Sequence, residues 1–431
     1  MDSAERVVAP GRPAARDHGA SASPGLFSNR NFRLFFLGQL VSNTGNWLQL
    51  AAQAVLVKQL SGSSFAVGMT TAALFVPVWF LALPGGRLAD VLDRRKVLIA
   101  MQVLAMTATV GLAVLAATGR ASVVAVVVVA LIVGIQFAVS IPTMMALLPS
   151  LVEPGQLGQA IGMNSITYNV ARALGPALAT AIIATLGFGL TFALNAASFV
   201  ALIAALLLMR PRAEAESTSP GTGSIGEALV YAWRHRRVRM MLVGVASVAV
   251  AVAPVVTLAP TFARDVYGSK AADAGLLISG YGIGAVLGAV LLTRAFRSRR
   301  GARFELLRPA GVLLAAALAG FAYSPSMAIG VACLVLAGLG FIASSVTWTT
   351  GIQQEVPEGL RGRIMGLWTL AYLGIWPLAA PIGGAIADLV SPQAAVIGMT
   401  VPVLLVAIFG VRVVRRSPPA VDPQPLAPAS P

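Results

Sequence analysis

The stretch Gly85–Lys96, GGRLADVLDRRK, lies between two long apolar segments and decides the fold. Residues 65–84 before it and residues 97–117 after it carry no charged side chain. A helix needs roughly 20 apolar residues to cross a bilayer, and both segments are that long. The stretch itself holds four cations, Arg87, Arg94, Arg95 and Lys96. Because cations concentrate on the cytoplasmic side of membrane proteins, the pattern predicts a charged turn at the cytoplasmic face between two membrane helices.

The composition excludes most other classes of protein. The 431 residues are 57% hydrophobic and 11% charged, whereas soluble domains carry about 25% charged residues. The net charge of +15 does not indicate a nucleic-acid partner, because the cations lie in the connections between apolar segments. With one cysteine, Cys333, and two histidines, we expect no disulfide, metal site or cofactor. The sequence also lacks a phosphate-binding loop and a catalytic constellation, so we expect neither ATP hydrolysis nor enzyme activity.

The chain contains about twelve apolar segments, which predicts an all-α membrane protein with twelve transmembrane helices in two six-helix bundles. The predicted spans are 35–57, 65–84, 97–117, 121–149, 160–186, 190–209, 240–262, 274–293, 306–323, 327–350, 364–390 and 394–414. The predicted regions are a disordered cytoplasmic tail (1–28), an N-terminal bundle (29–209), a cytoplasmic linker with an amphipathic helix (210–239), a C-terminal bundle (240–416) and a second disordered tail (417–431).

The distribution of cations predicts the orientation. Connections on the side of Asp90 hold almost all of them, whereas the opposite side holds Lys58, Arg120, Arg264 and Lys270. Both termini are therefore expected in the cytoplasm of a bacterial inner membrane protein. Residues 228–237, ALVYAWRHRR, are typical of a basic helix on an anionic inner leaflet, although a solvated linker is the alternative.

The two halves of the chain share a few residues at an offset of 203 positions. Gly85 matches Gly288, and Pro154 matches Pro357 in a separate connection. Parallel repeats of six helices are typical of transporters whose substrate site lies between the halves near the bilayer midplane.

A conformational latch is predicted at the charged turn. Asp90 would hold a neighbouring helix through its cation or its positive N-terminal end, and two adjacent glycines would permit close approach. The candidate residues are Gly85, Gly86, Asp90, Arg94, Arg95, Arg361 and Arg363. The alternative is a solvated loop with weak ion pairs.

A substrate cavity is predicted from polar residues at membrane depth. Gln39, Asn43, Asn46 and Gln53 share one face of the first helix beside Trp47, although they could equally serve as hydrogen-bond links between helices. Further candidates are Gln136, Trp368 and Tyr372 on other helices.

The fifth helix adds a second polar face to the predicted cavity. Asn164, Tyr168 and Arg172 recur at steps of four. Cations inside membrane segments are usually functional, and snorkelling of Arg172 to the interface is the alternative.

No Asp or Glu lies well inside an apolar segment, so the sequence does not identify a proton-carrying residue. The mild polarity of the candidate cavity favours a sizeable, mostly apolar ligand held by few polar groups.

Several motifs resemble the major facilitator superfamily, and within it the drug and siderophore exporters of the enterobactin-exporter and macrolide-efflux type. They are Gly86-x-x-x-Asp90 with Arg94-Arg95, Asn29-Arg30-Asn31-Phe32-Arg33, Asn169-Val-Ala-Arg172-Ala-Leu-Gly175-Pro176, Asn195-Ala-Ala-Ser198-Phe199 and Leu360-Arg361-Gly362-Arg363. The likeness covers about residues 29–416. Val91 and Asp93 differ from the superfamily motif, and Ala171, Ala179 and Thr180 stand where its antiporter signature has glycine.

The resemblance implies further roles for residues of this chain. Asp90 would stabilise the outward-facing state through the eleventh helix, and Gly162, Gly175 and Pro176 would serve helix packing in the antiporter signature on the fifth helix.

Together these patterns predict a monomeric transporter that exports an amphipathic or hydrophobic small molecule by alternating access, with proton coupling left open. An importer of a small metabolite is one alternative. A receptor or assembly protein that does not transport is the other.

Overall fold

A computed structural model describes residues 25–210, 225–296 and 304–416, and the regular structure in these ranges is helical throughout. Residues 1–24 of the tail predicted at 1–28, the tail at 417–431 and the polar stretch at 211–224 lie outside the described residues. The prediction of disorder was wrong for Leu26–Ser28, which form a 3-10 helix with Leu26 buried.

Fifteen α-helices follow one another along the described chain. They are α1 (Arg30–Ser61), α2 (Ser64–Val91), α3 (Arg94–Ala117), α4 (Val123–Leu147), α5 (Leu157–Leu208), α6 (Ile225–Arg234), α7 (Arg236–Thr257), α8 (Ala259–Thr261), α9 (Ala274–Phe296), α10 (Leu307–Ala322), α11 (Met327–Glu355), α12 (Glu358–Tyr372), α13 (Trp376–Leu389), α14 (Pro392–Leu405) and α15 (Val411–Arg416).

Ten described segments are long and apolar enough to cross a membrane. One of them, the 52-residue α5, is interrupted at Gly187, whose φ of 77° is accessible to glycine and strained for other residues. The two arms of α5 therefore count as two crossings. The 32-residue α1 is more polar but long enough to cross, since 20 residues of helix span about 30 Å. Within the described residues this assignment gives twelve crossing segments.

The predicted charged turn is shorter than expected. Helix α2 continues to Val91, so residues 85–91 are helical and only Leu92 and Asp93 separate α2 from α3. Asp93 then caps α3 by accepting hydrogen bonds from the backbone N–H groups of Arg95 and Lys96. The turn prediction was wrong for residues 85–91 because a helical glycine costs only about 1 kcal/mol relative to alanine.

The membrane helices pack in two sets. In the first half, α1 and α3 pack against α5, and α2 packs against α4. In the second half, α11 packs against α9 and α10, while α7 packs against α14. The division of the chain into two bundles at the linker stays a prediction.

Two helix pairs join the halves, and glycines let them approach closely. In the α2–α13 pair, a Cβ added to Gly68 would lie 2.4 Å from the carbonyl oxygen of Ala380. In the α5–α9 pair, a Cβ added to Gly282 would lie 2.7 Å from the backbone of Ala173. Small residues at such crossings allow backbone contact, as is common in membrane proteins.

The segment at Leu360–Leu389, a single span in sequence, is broken in the structure. Helix α12 ends at Tyr372 and α13 begins at Trp376. Trp79 Nε1 donates a 2.7 Å hydrogen bond to the carbonyl oxygen of Gly374 in this break. Broken membrane helices of this kind often line transporter binding sites because they expose backbone polar groups.

Candidate functional site

A cavity of about 1430 Å³ lies between the two halves. Its walls come from α1, α4 and α5 on one side and from α9, α11 and α12 on the other. Leu26, Phe27 and Gln159 line one end, which is the end of the molecule that carries the α2–α3 turn. We call this the open end. The opposite end, at the α1–α2 connection, is the closed end.

The polar face of the first helix lies on cavity walls. Gln39, Asn43 and Asn46 line the large cavity, and Gln53 and Trp47 line a smaller one of about 90 Å³ that is continuous with its deep end. Gln39 also donates to the sulfur of Met144, and Asn43 Nδ2 donates a 3.2 Å hydrogen bond to Thr167 Oγ1. The sequence left two roles open for these residues, lining a cavity or linking helices by hydrogen bonds. Both descriptions apply in the structure, because these side chains line a cavity and Gln39 and Asn43 also bond to other helices.

The other candidate cavity residues also lie on its walls. Asn164, Tyr168 and Arg172 of α5 line the large cavity, as do Gln136, Trp368 and Tyr372. Gln136 Nε2 donates to Ser140 Oγ at 3.1 Å, and Trp368 Nε1 donates to Thr349 Oγ1 at 3.0 Å. Their role in transport stays a proposal.

Arg172 is buried at the deep end of the large cavity, with 5% of its surface exposed. Its guanidinium carbon lies 5.1 Å from the ring centres of Trp47 and Tyr168, 5.2 Å from that of Phe341 and 5.9 Å from that of Tyr281. Tyr168 and Phe341 belong to opposite halves, so the aromatic cage spans the interface. Snorkelling does not describe Arg172, because its head group is enclosed rather than at the surface.

The aromatic cage offsets the cost of burying the charge but supplies no counter-charge. Moving an ion into the protein interior costs several kcal/mol, and each desolvated cation–π contact returns about 2 kcal/mol. None of the described residues that line either cavity is Asp or Glu. Arg172 is therefore a cation without a protein carboxylate beside it in the described part of the chain.

The closed end is held by polar links between the halves. The carboxylate of Asp388, on α13, accepts hydrogen bonds from Ser63 Oγ at 2.6 Å and from the N–H groups of Ser64 and Phe65 at 2.8 and 2.9 Å. A residue of the second half thus caps the N-terminus of α2 in the first, where negative charge is stabilised by the helix dipole.

A second link at the closed end involves Lys58. Its buried Nζ lies 3.0 Å from a carboxylate oxygen of Asp265 in the other half. Nearby, the hydroxyls of Ser64 and Thr261 are 2.9 Å apart. These contacts and the Asp388 cap close the cavity at this end.

At the open end, the hydrogen bonds described below for Arg94, Arg95 and Arg363 stay within one half or reach the linker. Arg94 donates to the carbonyl oxygen of Ala146 at 3.1 Å, and Arg95 donates to that of Leu207 at 2.7 Å. Arg363 pairs with Glu227 of α6 at 2.8 Å. The side chains of Gly85–Asp90 lie outside the described residues, and Arg361 is exposed. The predicted latch between Asp90 and the Arg361/Arg363 pair therefore stays a prediction.

The three candidate packing residues of α5 differ. A Cβ at Gly175 would lie 2.6 Å from Trp47 Cβ, so this glycine permits the contact of α5 with α1. The carbonyl of Pro176 lies against Gly275 of the second half. The packing role predicted for Gly162 is wrong, because it is exposed and no atom lies within 4 Å of an added Cβ.

Sequence reasoning missed several residues of the site. Tyr281 and Phe341 were not distinguished because aromatic residues in apolar segments usually only pack. Asp388 lies near the end of an apolar segment, but the backbone N–H of Ser64 that it accepts from lies 324 residues away along the chain. An acid near the end of an apolar segment is the only signal that the sequence offers for such a cap.

The fold and this cavity define a membrane transporter of the two-bundle type, in which a ligand site lies between halves that join at a midplane crevice. Residues 21–430 match the family described as transmembrane secretion effector, and the chain belongs to this family of the major facilitator superfamily. It is a multi-pass inner membrane protein.

Characterised relatives include exporters. The chain is 27% identical over 402 residues to the enterobactin exporter EntS of Salmonella typhi, covering 91% of this chain and 95% of the relative. It is 28% identical over 409 residues to the enterobactin exporter EntS of Citrobacter koseri, covering 92% of this chain and 96% of the relative.

Solved structures show the same fold. A bacterial homologue of the human lysosomal transporter Spinster, in an inward-facing and unoccupied conformation, superposes with a TM-score of 0.73 at 15% identity, covering 89% of this chain and 97% of that one. An inward-facing bacterial homologue of the iron transporter ferroportin superposes with a TM-score of 0.65 at 17% identity, covering 90% of this chain and 98% of that one.

Proposed function

We propose that the protein is a secondary active transporter that exports an amphipathic or hydrophobic small molecule by alternating access. The observation that carries this proposal is the cavity of about 1430 Å³, which lies between the halves, opens at one end and is closed by inter-half contacts at the other. The exporter relatives support export rather than the importer or receptor alternatives.

The open end is proposed to face the cytoplasm. It carries the α2–α3 turn with Arg94, Arg95 and Lys96, together with Arg237 and Arg239 at the start of α7. Such clusters are retained on the cytoplasmic side. A cavity open to the cytoplasm would load its cargo from inside the cell, and both termini would lie inside.

The wall chemistry supports an amphipathic cargo. Amides of Gln39, Asn43 and Asn46 lie on one wall, and the stacked rings of Trp368 and Tyr372 lie on another, 5.2 Å apart. A few fixed polar groups within a mostly apolar wall are typical of sites for drug-sized ligands, whose pockets measure about 300–1,000 Å³. The larger volume here suits a bulky molecule.

We further propose that the linker helix α6 binds the anionic inner leaflet and that the protein acts as a monomer. Trp233 is 70% exposed and Leu229 is 57% exposed, whereas Ala228 and Ala232 pack inward. An exposed apolar face flanked by Arg234 and Arg236 is typical of a helix at a lipid interface.

Efflux from intact cells tests the proposed function. A host that lacks its own exporters is loaded with a panel of fluorescent amphipathic dyes, and retention is compared with and without expression of the chain. We expect faster loss of some dyes on expression, and recovery of retention when a protonophore collapses the proton gradient. Moving one charge across the membrane is worth about 2.3 kcal/mol per 100 mV, so a single coupled proton suffices to drive export.

The matched control is the same chain with Gly384→Leu, which we expect to block closure of the closed end. Retention that stays unchanged across the panel would contradict the exporter assignment. Efflux that persists with the protonophore would support export but contradict coupling to protons.

The latch at Asp90 is tested by Asp90→Asn, which we expect to abolish efflux while leaving the protein folded and inserted. The control is Asp93→Asn three residues away, because asparagine preserves the cap that Asp93 forms on α3. Normal efflux by Asp90→Asn at matched expression would remove Asp90 from the mechanism.

A further inference from the structure

The small cavity of about 90 Å³ lies beyond the large one, towards the closed end, and the two share Asn43, Asn46, Tyr168, Arg172 and Tyr372 on their walls. Residues of both halves line it, since Trp47 and Gln53 belong to α1, whereas Tyr281 and Trp376 belong to α9 and α13. Its volume corresponds to a compact group of a few heavy atoms rather than to a whole cargo molecule.

Five buried polar atoms on the wall of this cavity have no hydrogen-bond partner. They are Asn46 Oδ1, Gln53 Nε2, Arg172 Nε, Tyr281 OH and Trp376 Nε1. Buried polar atoms without partners are rare in native proteins, and several around one cavity indicate a polar ligand there.

The unpartnered atoms are mainly donors. Gln53 Nε2, Arg172 Nε and Trp376 Nε1 carry hydrogen atoms and Tyr281 OH can donate, whereas Asn46 Oδ1 alone is an acceptor. Because rotation of an amide exchanges its oxygen and nitrogen, Asn46 and Gln53 can each present a donor, whereas Arg172 Nε and Trp376 Nε1 are donors in every orientation. A set dominated by donors matches a group that only accepts hydrogen bonds.

The charge of the cavity agrees with its donors. Only 5% of the surface of Arg172 is exposed. Among the described residues that line the two cavities, none places a carboxylate beside it. An anion would supply the missing counter-charge and accept charge-assisted hydrogen bonds, which are shorter and stronger than neutral ones.

We propose that the small cavity binds an anionic group of the exported molecule, such as a carboxylate, while the apolar body of that molecule occupies the large cavity. This inference rests on the proposed function and adds the class of cargo, an anionic aromatic or aliphatic amphiphile. Because Arg172 and Gln53 belong to the first half and Tyr281 and Trp376 to the second, the bound anion contacts both halves and couples occupancy to their relative movement.

Two probes of equal shape test the charge requirement. They are 2-naphthoate and its neutral analogue 2-naphthamide, titrated against the full chain in lipid nanodiscs at neutral pH by calorimetry. We expect the carboxylate to bind at least about tenfold more tightly, as hydrogen bonds to a charged group do. In Arg172→Gln the two affinities should agree within about twofold. Tyr281→Phe should weaken naphthoate binding about threefold.

Arg172→Lys keeps the charge and should retain part of the preference. Arg264→Gln at the exposed closed end should leave both affinities unchanged. Chromatographic profile and thermal unfolding check that each variant is folded. Should Arg172→Gln fail to fold, the wild-type comparison of the two probes and Tyr281→Phe still decide the matter.

Equal affinities in the wild type, no measurable binding of 2-naphthoate, or a preference that survives Arg172→Gln would overturn the proposal. A free anion is the other source of the same chemistry. If chloride raises the Tm of the wild type but not of Arg172→Gln, and the two probes bind equally, the site belongs to a free anion and the proposal falls.

Failure of this inference is distinguishable from failure of the proposed function. Energy-dependent efflux of dyes together with equal probe affinities would support the exporter function and contradict the anion site. A clear preference for 2-naphthoate without any efflux would support the anion site and contradict the exporter function.

Discussion

The two ends of the cavity are held by polar contacts of different reach. At the closed end, Asp388 and Asp265 of the second half bind Ser64 and Lys58 of the first. At the open end, Arg94 and Arg95 bind carbonyl groups within the first half. Contacts between halves must break when the cavity changes its access, whereas contacts within a half can persist. Side chains at the closed end are therefore expected to set the conformational equilibrium, whereas Arg94 and Arg95 at the open end are expected to contribute mainly to local stability.

Among changes at the contacts that the structure describes, the largest effect is expected from Gly384→Leu at the α2–α13 contact. A Cβ at this position would lie 2.4 Å from the carbonyl oxygen of Ser64, so a side chain there pushes backbone against backbone. Overpacking costs about 1–3 kcal/mol, which corresponds to a loss of efflux of up to about a hundredfold. The measurement is the efflux rate at matched membrane expression.

The control for this change is Gly398→Leu, because no atom lies within 4 Å of an added Cβ at Gly398. Equal efflux by the two variants would show that closure does not depend on the α2–α13 approach.

Asp388→Asn should have the next largest effect. It keeps the shape but removes the charge that accepts three hydrogen bonds at the start of α2. Charge-assisted bonds of this kind contribute about 1.5–3 kcal/mol, so the closed end should open at least about tenfold more often. The measurement is the labelling rate of Ala380→Cys, in a Cys333→Ala background, by a membrane-impermeant maleimide added outside.

Asp273→Asn is the matched control, because Asp273 lies at the same end but accepts a hydrogen bond from the nearby Lys270 N–H at 3.1 Å. Unchanged labelling in Asp388→Asn would remove the cap from the set of contacts that hold this end.

Lys58→Met should raise the rate at which the closed end is labelled by about threefold. The Lys58 ammonium is buried, but its partner Asp265 is 43% exposed and can be solvated when the pair is lost. The same labelling assay measures the effect, and a double-mutant cycle with Asp265→Asn isolates the pair. Arg120→Gln, at the exposed α3–α4 connection of the same end, serves as the control, and additive effects of the two single changes would show that the pair is not coupled.

With Arg361 as the latch partner of Asp90, Arg363→Gln at the open end should change efflux by less than about twofold, because exposed ion pairs contribute about 0–1 kcal/mol. Its partner Glu227 is 60% exposed and belongs to the linker helix. Efflux is measured beside Glu227→Gln. A loss as large as that of Asp388→Asn would erase the distinction between the two ends.

Much of the candidate site could be predicted from local pattern. The steps of four and three from Gln39 through Asn43 to Asn46 indicated one face of α1, and all three line the large cavity. Arg172 was singled out as a cation inside an apolar segment, and it lies at the deep end of that cavity. Their positions could be anticipated because helical periodicity and burial cost act locally along the chain, and their roles in transport stay predictions.

The remainder depends on contacts that local pattern does not contain. Gly162 and Gly175 look alike in sequence, yet only Gly175 meets another helix. Tyr281 and Phe341 approach Arg172 from the second half, and no spacing relates them to it. The break between Tyr372 and Trp376 lies within a span that reads as continuous in sequence, at the point where Trp79 reaches Gly374.

The sequence by itself determined that this is a helical membrane protein with repeated halves, because the cost of burying charge and unpaired backbone in a bilayer dictates apolar helices of fixed length. Tertiary structure alone decided which face of each helix meets the cavity, which end is closed and which aromatic rings enclose Arg172. Those outcomes depend on how the two halves dock, through the backbone approach of α2 to α13 and of α5 to α9, and docking is a property of shape rather than of hydropathy.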